Sequence, residues 1–419
     1  MNRLFLFLIL SFAVLLFDLY AYQGLKVVIN GFPGITQRII KVIFWGLTVI
    51  TLLSFILYEP LSSHDKGRKV LMIIATIGVA NILGKLLFAI WLLIDDAFRG
   101  IQWVWKKLNP PIKDTNSGIS RNEFLAGIGA ISATIPVLTM TWGVVSGAHD
   151  YTIRRRKLNI ANLPANFEGY KILQISDIHC GSFWNRTAVK RGVEMFNAEA
   201  ADAVFFTGDI VNNKASELED WTDVFSKIKS KDGVFSVLGN HDYGDYVKWD
   251  SKDEKANNLK KLIDLQIEMG FKVLLNDSEK IYIDKSSIDL IGVENWGGGF
   301  KQNGDLDLAL QKTNSDSFKI LMSHDPTHWE EKVISHKEHI DLTLAGHTHG
   351  MQFGIEIPGF IKWSPIKYRY KYWAGIYKEL EQIINVNRGF GFLAYPGRVG
   401  IYPEITLITL KDKESLKSV

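Results

Sequence analysis

The chain has 419 residues, one cysteine and a formal net charge of +3. Residues 1–150 hold 13 Lys/Arg against 8 Asp/Glu and the remainder hold 35 against 37, so net charges of +5 and −2 sum to +3. Neither part is basic enough to predict a nucleic-acid partner. The single cysteine excludes an intramolecular disulfide. The length allows two domains, and the composition predicts that they occupy different solvents.

Four apolar stretches fill the first third of the chain: Leu4–Tyr22, Ile39–Tyr58, Val70–Ile94 and Phe124–Val145. Each has about 20 residues, the length of helix that crosses a bilayer. A signal peptide followed by buried helices of a soluble domain is the alternative, but a signal peptide explains only the first stretch. We therefore predict an all-α transmembrane bundle of four helices in residues 1–150. The basic residues that flank the spans, counted with those at 154–157, divide eight against eight between the two sides, so they do not predict an orientation.

Two charged residues, Asp18 and Lys85, fall inside the predicted spans. They could form a polar pair within the bundle or mark a functional site. We favour a third interpretation, in which their side chains extend toward the membrane surface. The segment Asp95–Leu108 is predicted to form an amphipathic helix at the interface, because it combines tryptophans with lysines.

Residues 151–419 change to short apolar runs that alternate with polar helical stretches. Strands are predicted at Lys171–Ile178, Ala203–Thr207, Gly233–Leu238, Ile288–Val293, Lys319–Ser323 and Leu342–Ala345. Helices fit between them, for example at Thr187–Ala200, Leu218–Ser230 and Lys255–Met269. This alternation predicts a C-terminal α/β sandwich domain with its helices outside the sheets.

The stretch Lys171–Cys180 is a buried strand that ends in Asp177 and His179. Side chains two residues apart on a strand point to the same side, so this carboxylate and imidazole make half a metal site. A surface turn with an incidental histidine is the alternative for these two residues alone. The neighbouring Cys180 is interpreted as a small packing residue rather than a ligand.

Four further strand ends carry the same kind of side chain. They are Gly208-Asp209, Gly239-Asn240-His241-Asp242, His324-Asp325 and Gly346-His347-Thr348-His349. The carboxyl ends of parallel strands meet in one crevice, so we expect these residues to lie together. Together with His179, these strand ends hold five of the ten histidines. Imidazole mixed with carboxylate favours Mn, Fe or Zn over Mg or Ca.

This series of motifs resembles the calcineurin-like metallophosphoesterase superfamily over nearly all of residues 151–419. The wording Ser-Asp-Ile-His, Gly-His-Thr-His-Gly and the tail Val-Asn-Arg-Gly (386–389) with Pro-Glu-Ile (403–405) is similar to its bacterial membrane-linked branch. That branch includes some UDP-2,3-diacylglucosamine pyrophosphatases. The chain departs from it at Met351, where members often have glycine. The resemblance implies an integral protein of the bacterial cytoplasmic membrane.

The resemblance also implies two divalent metal ions and the residues that hold them. Asp177, His179 and His349 would hold the first ion, and Asn240, His324 and His347 the second. Asp209 would bridge the two together with a water or hydroxide, which two cations can deprotonate near neutral pH. His241 would stabilise the developing charge or protonate the leaving oxygen.

Two features outside this series have competing interpretations. The segment Phe353–Tyr377 interleaves aromatic with basic residues, which suits a lipid-contacting rim of the site or a packed lid. Arg398 could bind a substrate phosphate or lie on the surface as an ordinary arginine.

The sequence therefore predicts a membrane-bound, metal-dependent phosphohydrolase. Its expected partners are a phosphoester substrate, lipid-linked in our interpretation, and membrane lipids. A metal-binding membrane sensor or assembly factor without turnover is the alternative, and a metal-dependent amidohydrolase is a further one. Every ligand position and His241 are filled, which favours the enzyme.

Overall fold

A computed structural model describes residues 3–62, 65–109 and 121–412. Within these ranges the chain forms two compact units, Met1–Gly143 and Val144–Val419. The first unit is helical, and the second combines helices with two large sheets. The fold is thus an N-terminal set of apolar helices followed by a mixed α/β domain, as predicted.

The first unit consists of long apolar helices. They are α1 (Arg3–Ile29), α2 (Gly34–Ile56), the short α3 (Tyr58–Ser62), α4 (Asp65–Leu108) and α5 (Arg121–Val145). The four long ones have the length and composition to cross a membrane. Few of their side chains are buried against one another, and these form a small core of Ala21, Phe44, Phe88, Leu92 and Ala126. Most of the apolar surface faces outward, as lipid-facing helices require.

The predicted interfacial helix at Asp95–Leu108 is wrong as a separate element, because α4 runs through it without interruption. At 1.5 Å per residue, 44 residues span about 66 Å. A bilayer core is about 30 Å thick, so one helix can contain a span and continue beyond it. No proline stops it, and Arg99 pairs with Asp95 and Asp96 along the same helix.

The preferred interpretation of Asp18 and Lys85 is also wrong, because the two side chains form a buried pair. Lys85 Nζ donates to Asp18 Oδ2 at 2.8 Å and to Thr48 Oγ1 at 2.9 Å. Thr48 in turn donates to Asp18. Asp18 and Lys85 are only 1% and 6% exposed. Each charge thus finds its partner on a neighbouring helix, which an extended side chain would not provide.

The second unit contains 14 described strands. They are β1 (Thr152–Ile160), β2 (Lys171–Ile175), β3 (Ala203–Phe206), β4 (Val234–Ser236), β5 (Phe271–Val273), β6 (Asp277–Ile283), β7 (Ser286–Gly292), β8 (Lys319–Met322), β9 (Leu342–Ala345), β10 (Ile355–Ile357), β11 (Ile361–Trp363), β12 (Gly375–Glu379), β13 (Gln382–Val386) and β14 (Glu404–Asp412). One six-stranded sheet has the order β1-β14-β2-β3-β4-β5 and the other β12-β13-β9-β8-β7-β6. The strands β10 and β11 form a separate hairpin.

The helices of this unit are α6 (Arg186–Asn197), α7 (Ser216–Glu219), α8 (Thr222–Phe225), α9 (Lys252–Glu268), α10 (Leu306–Ala309) and α11 (Pro326–His328). One apolar core fills the space between the two sheets and includes Phe205, Phe235, Leu290 and Ile320. Further cores join each outer sheet face to the helices that cover it. The domain is therefore a sandwich of two sheets with helices outside, the predicted architecture.

All six predicted strands are present, whereas the predicted helix Leu218–Ser230 is replaced by the short helices α7 and α8. The strands β2 to β5 run parallel, and so do β7, β8, β9 and β13. The carboxyl ends of the strands at the centre of both sheets therefore open toward one edge of the sandwich.

Candidate metal centre

The predicted site residues leave the central strands of both sheets. Asp177 and His179 follow β2, Asp209 follows β3, and Asn240 follows β4, all in the first sheet. His324 follows β8 and His347 and His349 follow β9, in the second sheet. The structure brings these seven side chains together at the shared edge of the sandwich.

One cluster contains Asp177, His179 and His349, whose candidate ligand atoms all lie within 4.8 Å of one another. His349 Nε2 is 3.2 Å from Asp177 Oδ1. The side chain of His179 is fully buried, and neither of its ring nitrogens has a hydrogen-bond partner in the described part of the chain. Burying an imidazole without hydrogen-bond partners costs free energy of folding, and a metal ion bound to one of its nitrogens would offset part of that cost. These residues therefore fit a divalent ion.

A second cluster contains Asp209, His324 and His347. His347 Nδ1 lies 2.9 Å from Asn240 Oδ1 and 3.3 Å from His324 Nε2. Atoms with lone pairs approach this closely only around a proton or a cation. The second cluster thus also fits a divalent ion, with Asn240 as an additional oxygen donor.

Asp209 belongs to the second cluster and also faces the first. Its Oδ2 atom is 3.1 Å from His324 Nε2 and 3.6 Å from His179 Nε2, so one carboxylate oxygen faces a histidine of each cluster. Its other oxygen, Oδ1, accepts a hydrogen bond from the backbone N–H of His241 at 2.8 Å. A carboxylate in this position would be shared by two ions if each cluster held one.

The charges of the site favour bound cations. Burial by itself would lower the pKa of His324, but the adjacent carboxylate of Asp209 outweighs burial and raises it to about 10. Burial would raise the pKa of Asp209, yet His324 and His241 hold it well below its usual range. Asp177 behaves in the same way, since His349 lowers its pKa against the effect of burial. The carboxylates thus create a negative potential that a proton or a metal ion must balance.

Comparison with known proteins shows which family the chain resembles in both of its units. A family model described as calcineurin-like phosphoesterase matches residues 170–351. A second model, described as the transmembrane domain of a probable calcineurin-like phosphoesterase, matches residues 2–148. The chain belongs to the calcineurin-like metallophosphoesterases. It is therefore a membrane-associated hydrolase that acts on phosphoester bonds, in a family that uses divalent metals.

Several curated relatives align with the metallophosphoesterase. It is 28% identical over 300 residues to the uncharacterized metallophosphoesterase YkuE of Bacillus subtilis, covering 70% of this chain and 98% of that one. It is 27% identical over 278 residues to an uncharacterized metallophosphoesterase of Aquifex aeolicus, covering 65% and 97%. A transmembrane protein with metallophosphoesterase domain of Danio rerio is 27% identical over 307 residues. That alignment covers 71% of this chain and 64% of the fish protein.

The backbone of the metallophosphoesterase is strained at its metal clusters. Asp177, His179, Asp209, His347 and His349 have positive φ angles of 51°, 47°, 61°, 71° and 49°. Residues other than glycine rarely adopt this conformation, and it costs on the order of 1–3 kcal/mol at each position. The glycine before His347 is required for another reason. A Cβ atom at Gly346 would lie 1.9 Å from Ser176 Oγ and 2.3 Å from Asp177 Oδ2.

His241, the predicted catalytic residue, lies beside both clusters. Its ring centroid is 5.0 Å from that of His179 and 4.4 Å from that of Tyr246. Its Nδ1 atom is 2.7 Å from the backbone carbonyl oxygen of Asn212. Since that carbonyl can only accept, Nδ1 carries a hydrogen, and Nε2 is the nitrogen that can gain and lose a proton.

Three residues to which the sequence analysis assigned no role support the ligands. Asp242 is fully buried and accepts hydrogen bonds from the backbone N–H groups of Asp209, Ile210 and Gly239, each at 2.9 Å. It thereby fixes the loop that carries Asp209. The hydroxyl of Tyr370 is 2.9 Å from His347 Nε2, and Asp325 Oδ2 is 3.4 Å from the same nitrogen. They orient His347 so that its Nδ1 faces Asn240.

Arg398 is neither a surface residue nor exposed to a substrate. Its side chain is fully buried and donates to the backbone carbonyl oxygen of Gly389 at 3.1 Å. One guanidinium nitrogen lies 3.3 Å from His349 Nδ1. Both predicted roles for Arg398 are therefore wrong, and it packs behind the first cluster. Arg398 and His349 are far apart in the chain, so the sequence alone does not indicate this contact.

The motifs of the chain's tail form an ion pair within the domain. Arg388, 1% exposed, donates to Glu404 and to Glu356, the latter at 2.7 Å. Glu404 is fully buried and lies at the start of β14. The Val-Asn-Arg-Gly and Pro-Glu-Ile motifs therefore supply an ion pair that joins the segment after β13 to the start of β14.

The aromatic and basic segment Phe353–Tyr377 divides into two parts. Tyr370, Tyr372 and Trp373 are 3–6% exposed and belong to the packed interior. Phe360 and Tyr368 are 86% and 77% exposed. The packed-lid interpretation thus fits the buried residues 370–373, and the exposed-rim interpretation fits the hairpin that precedes them in the chain.

Proposed function

We propose that the protein is a membrane-bound dinuclear phosphohydrolase in which Asp177, His179 and His349 hold one ion, and Asn240, His324 and His347 the other, with Asp209 shared between them. The observation that carries this proposal is the position of Asp209 Oδ2, within 3.6 Å of a histidine nitrogen from each cluster. Two divalent ions, Mn, Fe or Zn by the donor set, supply a hydrolytic nucleophile near neutral pH and neutralise phosphoryl charge.

The chain's own residues complete the chemistry. His241 can hold a proton on Nε2 because its Nδ1–H donates to Asn212. A leaving alkoxide or phosphate oxygen gains that proton as the phosphoester bond breaks. The backbone N–H of His241 also fixes Asp209 Oδ1, so the ring and the shared carboxylate keep a constant separation.

The test is hydrolysis of an aryl phosphodiester by the purified full-length protein with added manganese. Asp209→Ala should abolish turnover and lower the metal content, because both ions lose a ligand. His241→Ala should keep the metals and lose a factor of about 10²–10⁴ in rate. The matched control is His339→Ala, whose side chain is 46% exposed. Equal turnover by Asp209→Ala and the native protein would refute the proposal.

We further infer that the substrate is a lipid-linked phosphate or pyrophosphate, with UDP-2,3-diacylglucosamine the first to try. The four membrane-length helices and the exposed side chains of Phe360 and Tyr368, close in sequence to the site residues, support this inference. Such a rim can contact acyl chains while the phosphate reaches the site. The protein then acts in lipid metabolism, and we propose the bacterial cytoplasmic membrane as its location.

Turnover of two substrates tests this inference. Phe360→Ser with Tyr368→Ser should slow hydrolysis of the lipid substrate at least tenfold and leave the small phosphodiester unchanged. Trp373 is unsuitable for the test because it is 4% exposed and its loss would disturb the interior. An equal effect on both substrates, or none on either, would overturn the lipid inference but not the phosphohydrolase. A reporter fused to the C-terminus would show which side of the membrane holds the site, since a cytoplasmic site admits nucleotide-linked lipids and an external one largely does not.

A further inference from the structure

The hairpin β10–β11 has an unusual distribution of side chains. Its register pairs Ile355 with Trp363 and Ile357 with Ile361, so these four side chains share one face. Ile355, Ile357 and Ile361 are 51%, 51% and 38% exposed, and Phe360 in the turn is 86% exposed. We call the surface formed by Ile355, Ile357, Phe360 and Ile361 the hairpin face.

The opposite side of the hairpin carries its charges. Glu356 points inward and accepts hydrogen bonds from Arg388 and Arg154, each at 2.7 Å. The side chain of Arg388 is 2% exposed, so this network is anchored in the interior. The usual arrangement is therefore reversed, with the carboxylate inside and the isoleucines outside. The ion pairs fix this orientation, and the apolar face is a built feature of the domain.

Residues close to the hairpin in the chain are also exposed, and they are apolar or basic. Met351 and Phe353, which precede the hairpin in the chain, are 54% and 38% exposed, so apolar exposure is not confined to the hairpin face. Single exposed apolar residues are ordinary, but a contiguous group of this kind marks an interaction surface. Lys367 and Arg369 are exposed on either side of Tyr368. Basic residues beside apolar and aromatic ones suit the head-group region of an anionic bilayer.

The chain itself indicates which partner this surface meets. It carries four helices of membrane-crossing length, and the last, Arg121–Val145, ends only a few residues before β1 begins. The covalent tether keeps a bilayer within reach at all times, so a weak apolar contact with it becomes effectively intramolecular. A partner protein would have to compete with that permanent neighbour.

We propose that the hairpin face inserts into the boundary between head groups and acyl chains of an anionic bilayer. Residues of the candidate metal centre flank the hairpin in sequence, with His349 before it and Tyr370, which contacts His347, after it. Insertion therefore holds the edge of the sandwich that carries both clusters at the level of the lipid head groups. This contact does not depend on which phosphoester is hydrolysed.

The experiment places a polarity-sensitive fluorophore on the hairpin of the full-length protein in nanodiscs of phosphatidylcholine and phosphatidylglycerol. The variant is Phe360→Cys, and the native Cys180 is fully buried and does not compete for the label. The matched control is Tyr282→Cys. Tyr282 is 62% exposed and lies on β6, which is the edge strand opposite β12 in its sheet. Both labelled variants must retain turnover of the small phosphodiester.

The label at position 360 should emit at shorter wavelength than the label at 282 and be quenched severalfold more strongly by nitroxides on lipid acyl chains. Aqueous iodide should show the reverse preference. Equal iodide quenching at the two positions would overturn the proposal. So would a shift at position 360 that depends on protein concentration in detergent, since that result assigns the face to a second copy of the chain.

Discussion

Five of the candidate ligands have a left-handed backbone conformation, so the candidate metal centre is strained at single residues. Such conformations persist only where neighbouring contacts over-determine them. Here Asp242 gathers three backbone N–H groups around Asp209, and the backbone N–H of His347 donates to Asp177 at 3.0 Å. The ligand geometry is therefore a property of the surrounding hydrogen bonds as much as of the ligands.

Tyr370→Phe tests one of these supports. The change removes the hydroxyl that contacts His347 Nε2 at 2.9 Å and leaves the ring in place. We expect a 10–100-fold weaker affinity for the second metal, with nearly native turnover at saturating metal, because the ring of His347 loses its orientation. Activity measured against metal concentration provides the readout.

Tyr368→Phe is the matched control, since Tyr368 is 77% exposed. A Tyr370→Phe variant with native metal affinity would show that Asp325 alone orients His347. A variant that loses turnover at every metal concentration would instead give Tyr370 a role in the reaction.

At the scale of elements, the membrane helices are joined by polar contacts as well as by packing. Asp18 on α1, Thr48 on α2 and Lys85 on α4 form one buried network. On α2 and α4, Thr51 and Asn81 add a second contact at 3.0 Å. Because apolar contacts give little preference between helix and lipid, such polar contacts set which helices pair.

Lys85→Met should destabilise the helical unit, because Asp18 would remain buried without its counter-charge. Removing one partner of a buried pair costs about 3–5 kcal/mol in soluble proteins. The double variant Asp18→Asn with Lys85→Met should recover part of the loss. Thermal unfolding of the full-length protein in detergent measures both.

Lys107→Met serves as the control, because Lys107 is exposed near the end of the same helix. If the double variant proves as unstable as the single one, the two charges do not interact and the pair has no stabilising role.

At the scale of the whole molecule, a buried histidine makes the catalytic domain sensitive to acid. Burial lowers the pKa of His328 to about 4, against the opposing influence of Asp325. This value lies below the ordinary value of about 6.5 in an unfolded chain. The unfolded state thus binds more protons between these limits, so stability is present above pH 6.5 and falls as the pH decreases toward 4.

His328→Phe should make this loss of stability shallower. His328 is 1% exposed, and its ring centroid is 5.2 Å from that of Trp296, where a phenyl ring meets similar surroundings. The measurement is the unfolding temperature of the metal-depleted protein between pH 4 and 7. An unchanged slope would mean that His328 remains charged in the folded state or contributes nothing to the acid response.

Local patterns made much of this architecture predictable. The strands that carry the ligands are short apolar runs, and the site residues follow each run directly. Both features can be read from consecutive residues. The contacts of Arg398 with His349 and of Tyr370 with His347 depend on segments that meet only in the folded chain. The pairing of Asp18 with Lys85 is of the same kind, since the sequence does not say which face of a helix meets which.

The strand β1 shows why other elements were missed. It contains Arg154, Arg155 and Arg156 in succession, so it lacks the apolar alternation that predicts a strand. It forms because its backbone pairs along nine residues with β14. The division of Phe353–Tyr377 into a packed part and an exposed hairpin was likewise invisible, because aromatic composition does not tell which rings are buried.

The position of β14 has a consequence for how the protein is made. Although β14 is the last strand of the described chain, it lies between β1 and β2, parallel to the first and antiparallel to the second. At a synthesis rate of about 5–20 residues per second, roughly 10–50 s pass between the emergence of β1 and that of β14. Throughout this interval the nascent domain has two unsatisfied strand edges beside a membrane. A ribosome that stops before β14 leaves both edges open, so an incomplete product is exposed to chaperones and proteases. The sheet is complete only after β14 has been translated and inserted.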